Sequence, residues 1–319
     1  MIEQICSSAR RPAGQAWLRH DDSRAKCHCR LQSPRPLKYH AMADLTPIVG
    51  DNPCIRQSMI QFVLLTAYEE KIGMDNPLTR KLSSFTDFSE EDTRRLNDLC
   101  RNTDSYISGS DLIMEGDRPD SVFFLLEGWA YRYKFLPDGN RQIVAYLIPG
   151  DLCDIHIFIL KQMDHSIGLL SDAKVAAIPK VDMLEILDSH PRIAQALLWA
   201  TLVDEAVLRE WIVNMGQRDA FSKLAHLFCE MWFRMRQVGL VHANQFDLPL
   251  TQEQLGDTVG LTKVHVNRVL QRMRRESLIS LSGKTLVIHD IERLGQIGEF
   301  DSTYLHLERR PSPSSQSNY

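Results

Sequence analysis

Five cations, Lys263, Arg268, Arg272, Arg274 and Arg275, fall within thirteen residues, and no Asp or Glu stands among them, although the 319-residue chain carries a formal net charge of −4. Overall charge says nothing of nucleic acid here, so charge gathered locally is the informative signal. Guanidinium and ammonium groups crowded with one sign of charge are suited to an anion. The amides Asn267 and Gln271 interleave with them and add groups that can donate and accept hydrogen bonds.

Other chemistry-bearing sets are thinner. Cys153 and His156 in "CDIH" stand at i, i+3, with His165 further on, a loose set that reads as a small buried thiol and a surface imidazole; no metal site is expected. The seven cysteines (6, 27, 29, 54, 100, 153, 229) are odd in number and scattered, which suits a reducing compartment better than a disulfide scaffold. No nucleophile elbow, phosphate-cradling glycine loop or HExxH-type site is present in the sequence. The chain reads as something other than an enzyme.

The elements that must hold the cations are legible in "LTQEQLGDTVGLTKVHVNRVLQRMRRESLI" (250–279). Thr251 is placed to N-cap a first helix, with Gln254 completing a capping box. Leu255 and Val259 form its inner stripe, Gly260 supplies the turn, and Thr262 caps a second helix. There Val266, Val269, Leu270 and Met273 point inward, and Val264, Asn267, Arg268, Gln271 and Arg275 share the other face. Two short helices joined by a glycine turn, the second presenting cations and amides, describe a helix-turn-helix whose second helix fits the major groove. Downstream, "LISLSGKTLVIHD" reads as strand, Ser282-Gly283 turn, strand. That is a wing, with Lys284 near a backbone phosphate.

Upstream the grammar is different. From about residue 109, Gly116, Gly128, Gly139 and Gly150 recur at intervals of 12, 11 and 11, and Pro137-Asp138-Gly139-Asn140 is a hairpin turn. Short runs punctuated by turns, continuing to "DAKVAAIP" (172–179), predict a compact antiparallel barrel or sandwich. "VDMLEILDSH" then gives a short helix closed by Pro191, and "PRIAQALLWATLVDEAVLREWIVNMG" a long one. Ile193, Ala196, Ala200, Val203 and Val207 form one stripe of it; Leu198, Leu202, Leu208 and Trp211 leave the opposite side apolar too. A helix apolar on both sides needs two partners. One side covers the barrel; the other meets a second copy of the chain, or else the helix is buried in the core of a monomer. A further helix, "DAFSKLAHLFCEMWFRMRQVGL", follows a break at Gly216–Arg218.

The expected fold is α+β. Residues 1–58, rich in Pro, Ser and Arg, form a disordered extension, and Met42, Met59 and Met74 are alternative starts. An antiparallel β-roll of cupin or jelly-roll type spans 80–185, a dimerisation helix 186–216, a winged helix-turn-helix 217–300 and a tail 301–319. The run "MIQFVLLTAY" (59–68) is about half a membrane span, and the N-terminus lacks the apolar core of a signal peptide. A cytoplasmic protein without membrane attachment is expected.

A glycine-punctuated β-roll, a long helix and a winged helix-turn-helix together resemble the Crp–Fnr family of bacterial transcription regulators, over roughly residues 80 to 300. "LTQEQLGDTVGLTKVHVNRVLQRMRRESLISLSGKTLVI" and "EGDRPDSVFFLLEGWAYRYKFLPDGNRQIVAYLIPGDL" carry the resemblance, and the ending "FDSTYLHL" resembles a proteobacterial subgroup. It implies a homodimer on an inverted repeat in double-stranded DNA, with RNA polymerase as a further partner. Bases would be read from Lys263, Val264, His265, Asn267 and Arg268, with phosphates met by Thr251, Gln252, Thr262 and Lys284. The family commonly has Glu where Val264 stands; valine cannot accept from cytosine and can only touch a thymine methyl, so a different half-site is expected.

The resemblance also implies an effector pocket. Its counterparts are Gly150 and Asp151 for a ribose, His165 and Ser166 for a phosphate, and Val203 and Asp204 beside a base. His165 stands where the family has Arg; it is largely neutral at pH 7 and cannot fork around a phosphate. With the departures at Asp151 and on the helix, this argues against cyclic AMP. Cys27-His28-Cys29 is too tight a pair, and no cysteine lies near "DAKVAAI", which argues against an iron–sulfur cluster. The effector is unassigned. The competing reading is a ligand-binding signalling module that acts through protein partners.

Overall fold

The computed structural model describes residues 76–155 and 161–307. The expected extension 1–58, the apolar run 59–68, the Cys27-His28-Cys29 cluster, His156 and residues 308–319 lie outside the described residues.

Two short helices come first. Asn76 caps α1 (Pro77–Ser83), and Ser89 with Asp92 forms a capping box on α2 (Glu90–Leu99). Seven strands follow: β1 (Thr103–Tyr106), β2 (Asp111–Ile113), β3 (Ser121–Glu127), β4 (Ala130–Phe135), β5 (Arg141–Leu147), β6 (Ser166–Leu169) and β7 (Ala173–Pro179). They pair antiparallel as β1-β7-β3 and β2-β6-β4-β5, and enclose Val122, Phe124, Leu147, Ile167 and Val175. The expected antiparallel β-roll is borne out. Its punctuation has a steric cause at Gly128, where φ is +87° and a Cβ would lie 2.3 Å from the Asp172 carbonyl.

Helix α3 (Lys180–Ser189) contains the expected boundary at 186, and α4 (Pro191–Gln217) runs for 27 residues. The first half of α4 buries Ile193, Ala196 and Ala200 in the β-roll core, while Val207 and Trp211 join the C-terminal core. Trp211 therefore corrects the sequence reading, which set it on the opposite side. It stands four residues after Val207, on the same helical face, and its indole Nε1 donates to Glu230 at 3.0 Å. Leu198, Leu202, Ile212 and Val213 are exposed. Gly216 does not interrupt the helix; the break falls at Arg218, which is extended, and Asp219, whose carboxylate accepts from the amides of Phe221 and Ser222 to start α5 (Ala220–Gln237).

Beyond α5 come β8 (Gln245–Asp247), α6 (Gln252–Val259), α7 (Lys263–Arg275), β9 (Ile279–Ser282), β10 (Thr285–Ile288) and α8 (Ile291–Gly298), with a 3₁₀ turn at Ser302–Leu305. Strands β8-β10-β9 form the wing sheet; the sequence reading anticipated only the β9–β10 hairpin. Residues 301–307, grouped above with the tail, are integral to the fold. Leu305 is buried, and the Tyr304 hydroxyl donates to Glu230 at 2.9 Å while its ring stacks on His226.

Among the described residues no helix is long and apolar enough to cross a membrane.

Candidate nucleic-acid interface

Local chemistry fixes the α6–α7 pair. Thr251 Oγ1 accepts from the Gln254 amide at 3.1 Å, and Gln254 Oε1 accepts from the Thr251 amide at 2.9 Å, the reciprocal box expected from the sequence. Gly260 ends α6 in the left-handed region with φ +67°, and Thr262 Oγ1 accepts from the His265 amide to open α7. The turn folds back on α6 so closely that a Cβ on Gly256 would sit 2.4 Å from the Leu261 carbonyl.

On α7 the inward set is as the periodicity demands: Val266, Val269, Leu270 and Met273 are buried. Lys263, Val264, His265 and Arg268 are exposed on the other side. Asn267 is half-buried and donates from Nδ2 to Gln252 Oε1 at 3.1 Å, so one expected base contact and one expected phosphate contact are tied to each other across the helix pair. The cationic stretch divides in two. Arg272 lies over the Phe221 ring with its guanidinium carbon 3.9 Å from the centroid and bonds Glu276 at 2.8 Å, and Arg274 reaches the Leu281 carbonyl. Lys263, Arg268 and Arg275 make no ion pair among the described residues, which leaves their charge available to an external anion. A groove of about 660 Å³ runs beside them, lined by Val264, His265, Arg268, Arg275 and the start of α5 at Ala220 and Phe221. At the wing tip Gly283 has φ +59° and Lys284 is exposed.

The six residues expected from the resemblance to form an effector pocket are each held by their own contacts among the described residues. Gly150 is pressed against α1, where a Cβ would come 2.6 Å from the Pro77 carbonyl. Asp151, 2 % exposed, is bonded by Lys81 Nζ at 2.5 Å and Arg234 Nη2 at 2.7 Å, and accepts from the Ile148 amide. Burial raises its pKa, but the charges of Lys81 and Arg234 outweigh that and hold the carboxyl below the usual range. Ser166 Oγ accepts from the Glu115 amide, and His165 pairs with Asp164 at 2.7 Å. Val203 packs on the C-terminal core. Asp204 borders a cleft, of about 240 Å³, between the β-roll and α4, whose other walls include Lys81, Arg132, Leu152, Ala200, Thr201 and Glu205.

Sequence reasoning missed Arg132 and Lys81. Arg132 bonds the Leu152 and Cys153 carbonyls at 3.0 Å each through Nη2 and Nε, and Asp204 at 3.3 Å. Its signal was a cation within the alternating strand "AYRYKF". Burial pushes the Cys153 thiol up to about 12, so it is a neutral, unreactive group.

Residues 222–297 match the Crp-like helix-turn-helix domain, and residues 103–190 match the cyclic nucleotide-binding domain. The transcriptional activator protein FnrL of Cereibacter sphaeroides is 30% identical over 198 residues, which cover 60% of this chain and 77% of that protein. The nitrogen fixation regulation protein FixK of Bradyrhizobium diazoefficiens is 26% identical over 177 residues, 55% of this chain and 73% of that protein. In fold, the chain is similar to the solved structure of FixK2 from Bradyrhizobium japonicum, with a TM-score of 0.55 and 23% identity over 61% of this chain and 96% of that one.

Proposed function

This chain belongs to the Crp–Fnr family of DNA-binding transcription regulators, and from that premise we propose that two copies clasp along α4 and set their α7 helices into successive major grooves of an inverted repeat. The observation that carries the reading is the division of α7: its apolar face is buried in the domain core, while Lys263, Arg268 and Arg275 stand outward without a carboxylate partner among the described residues. Arg268 and its neighbours Lys263, Val264, His265 and Asn267 read bases; Thr251, Gln252, Thr262 and Lys284 contact phosphates and set the register.

The dimer rests on the exposed Leu198, Leu202, Ile212 and Val213 of α4, a stripe that water solvates poorly and a second copy covers. The β-roll senses a small effector other than cyclic AMP, in the cleft beside Arg132 and Asp204. With Asp151 buried in ion pairs and His165 paired to Asp164, the groups a ribose phosphate would need are engaged elsewhere. The regulator works in the cytoplasm, with RNA polymerase as its protein partner.

Retention of genomic fragments by the full-length protein, and its loss in Arg268→Ala and Lys263→Ala, tests the reading. Undiminished retention by both variants would instead favour a module acting through protein contacts.

A further inference from the structure

Along the chain, the β-roll is joined to the helix-turn-helix through α3, α4 and α5. A second connection lies within one chain. From the β-roll, Arg141 Nε and Nη2 of β5 both donate to Asp257 Oδ2 of α6, at 2.9 and 2.7 Å. One residue on, Gln142 Nε2 donates to the Thr258 carbonyl at 3.3 Å, and the Tyr146 hydroxyl bonds Thr258 Oγ1. Tyr146 and Thr258 are both buried, and Ile143, Tyr146 and Ile148 belong to the same apolar cluster as Leu255, Val259 and Val266 of the helix-turn-helix. The strand is thus part of the reading module's own core.

The loop that follows β5 makes the next contact. Asp151 pairs with Arg234 of α5, whose Nη2 also donates to the Tyr146 carbonyl at 2.9 Å. Arg234 continues to Glu230, which also takes the Trp211 indole and the Tyr304 hydroxyl. At its other end the loop borders the cleft: Leu152 lines it, and Arg132 holds the Leu152 and Cys153 carbonyls from inside it. An anionic group entering the cleft would compete with those carbonyls and with Asp204 for one guanidinium. The residues it would disturb are the neighbours of Asp151.

We propose that β5 and the Gly150–Asp151 loop form an intrachain clamp that sets the attitude of α6 and α7 directly from the effector cleft, with Arg141, Asp151 and Arg234 as its positioning residues. The functional consequence rests on the reading of α7 as the DNA-contacting helix; the clamp itself does not. Two groups of contacts, one on α6 and one on α5, hold the two helices that support α7. Release of either loosens the module on the side away from the substitution. Coupling of this kind is reciprocal.

Hydrogen exchange of the full-length protein, without DNA, tests it. Arg141→Gln changes a half-buried pair and leaves the cores intact. It is expected to speed exchange in α6 and the following turn about two- to thirtyfold, the span of typical coupling energies, with α3 unchanged. Asp257→Asn is expected to speed exchange in β5 and residues 148–153 by a similar factor, and the exchange of charges, Arg141→Asp with Asp257→Arg, to restore protection. The same responses are expected when α4 carries Leu202→Glu and Ile212→Glu. Acceleration confined to the substituted element in both single variants overturns the clamp, as does a coupling abolished in the α4 variant. Failure of the wild type to bind DNA would overturn the reading of α7 instead, and leaves these exchange results standing.

Discussion

Arg268 and Lys284 illustrate two kinds of cation at one interface. Arg268 is exposed on α7 and Lys284 at the wing tip; in the proposed complex the first forks onto a guanine and the second meets a backbone phosphate. Arg268→Ala is expected to cost about 1–3 kcal/mol at one base position and to relax preference there. Lys284→Ala should weaken all sequences alike and lower the slope of log K against log salt by about 1. Competitive binding to a panel of single-base variants at several salt concentrations separates the two. A different residue governs pH response. Burial, then the nearby Arg218, pushes the His226 imidazole down to about 4, so it stays neutral in the folded chain while the unfolded chain takes up a proton near 6.5. Its contribution to stability is complete above about pH 6.5 and is lost as pH falls toward 4. Glu230, raised chiefly by burial, acts in the opposite sense, so the useful comparison is between variants. His226→Gln is expected to flatten the fall in denaturation midpoint between those pH values; an unaltered profile would contradict this.

At the level of elements, α6 and α7 were legible in detail because every stop and start is chemical. A capping box, a left-handed glycine and a capping threonine are all local signals, and each is found where the residues indicate. The long helix was legible in length but not in phase. Trp211, four residues after Val207, falls in phase with the buried stripe, and its Glu230 and Tyr146 contacts hold it on the side opposite to the one the sequence reading gave it. β8 escaped notice because three residues are too few to display a period; α8 is no shorter than α6, but its only cap signal, Asp290, was not read. Two expectations belong here. Gly256→Ala forces a methyl against the Leu261 carbonyl and is expected to destabilise the C-terminal domain by about 1–3 kcal/mol, with loss of DNA binding; calorimetry and gel retention check it. Leu202→Glu with Ile212→Glu places carboxylates on the exposed apolar stripe of α4. Sedimentation should then show a monomer that stays folded by circular dichroism, and a persistent dimer would place the interface elsewhere.

Over the whole molecule, the order β-roll, long helix, winged helix-turn-helix was readable from turn spacing, one uninterrupted helical run and a cationic helix. The proposed effector cleft was not. Positions carried over by resemblance say which residues correspond, but not what will pair with them, and here Asp151 is buried between Lys81, a wall of the cleft, and Arg234 of α5. Arg132 supplies the cleft's guanidinium from β4, at a position to which the resemblance gave no effector role. The β-roll and the C-terminal domain share one apolar cluster through Tyr131 and Tyr133 of β4 and Ile143 and Tyr146 of β5. In the proposed complex two chains read one symmetric duplex. Titration of the full-length protein against an inverted repeat, with stoichiometry read by sedimentation, tests this most directly. Two chains per duplex are expected, with half-sites about 10–10.5 base pairs apart and an affinity that falls steeply with salt. One chain per duplex, or equal affinity for symmetric and random sequences, would contradict it.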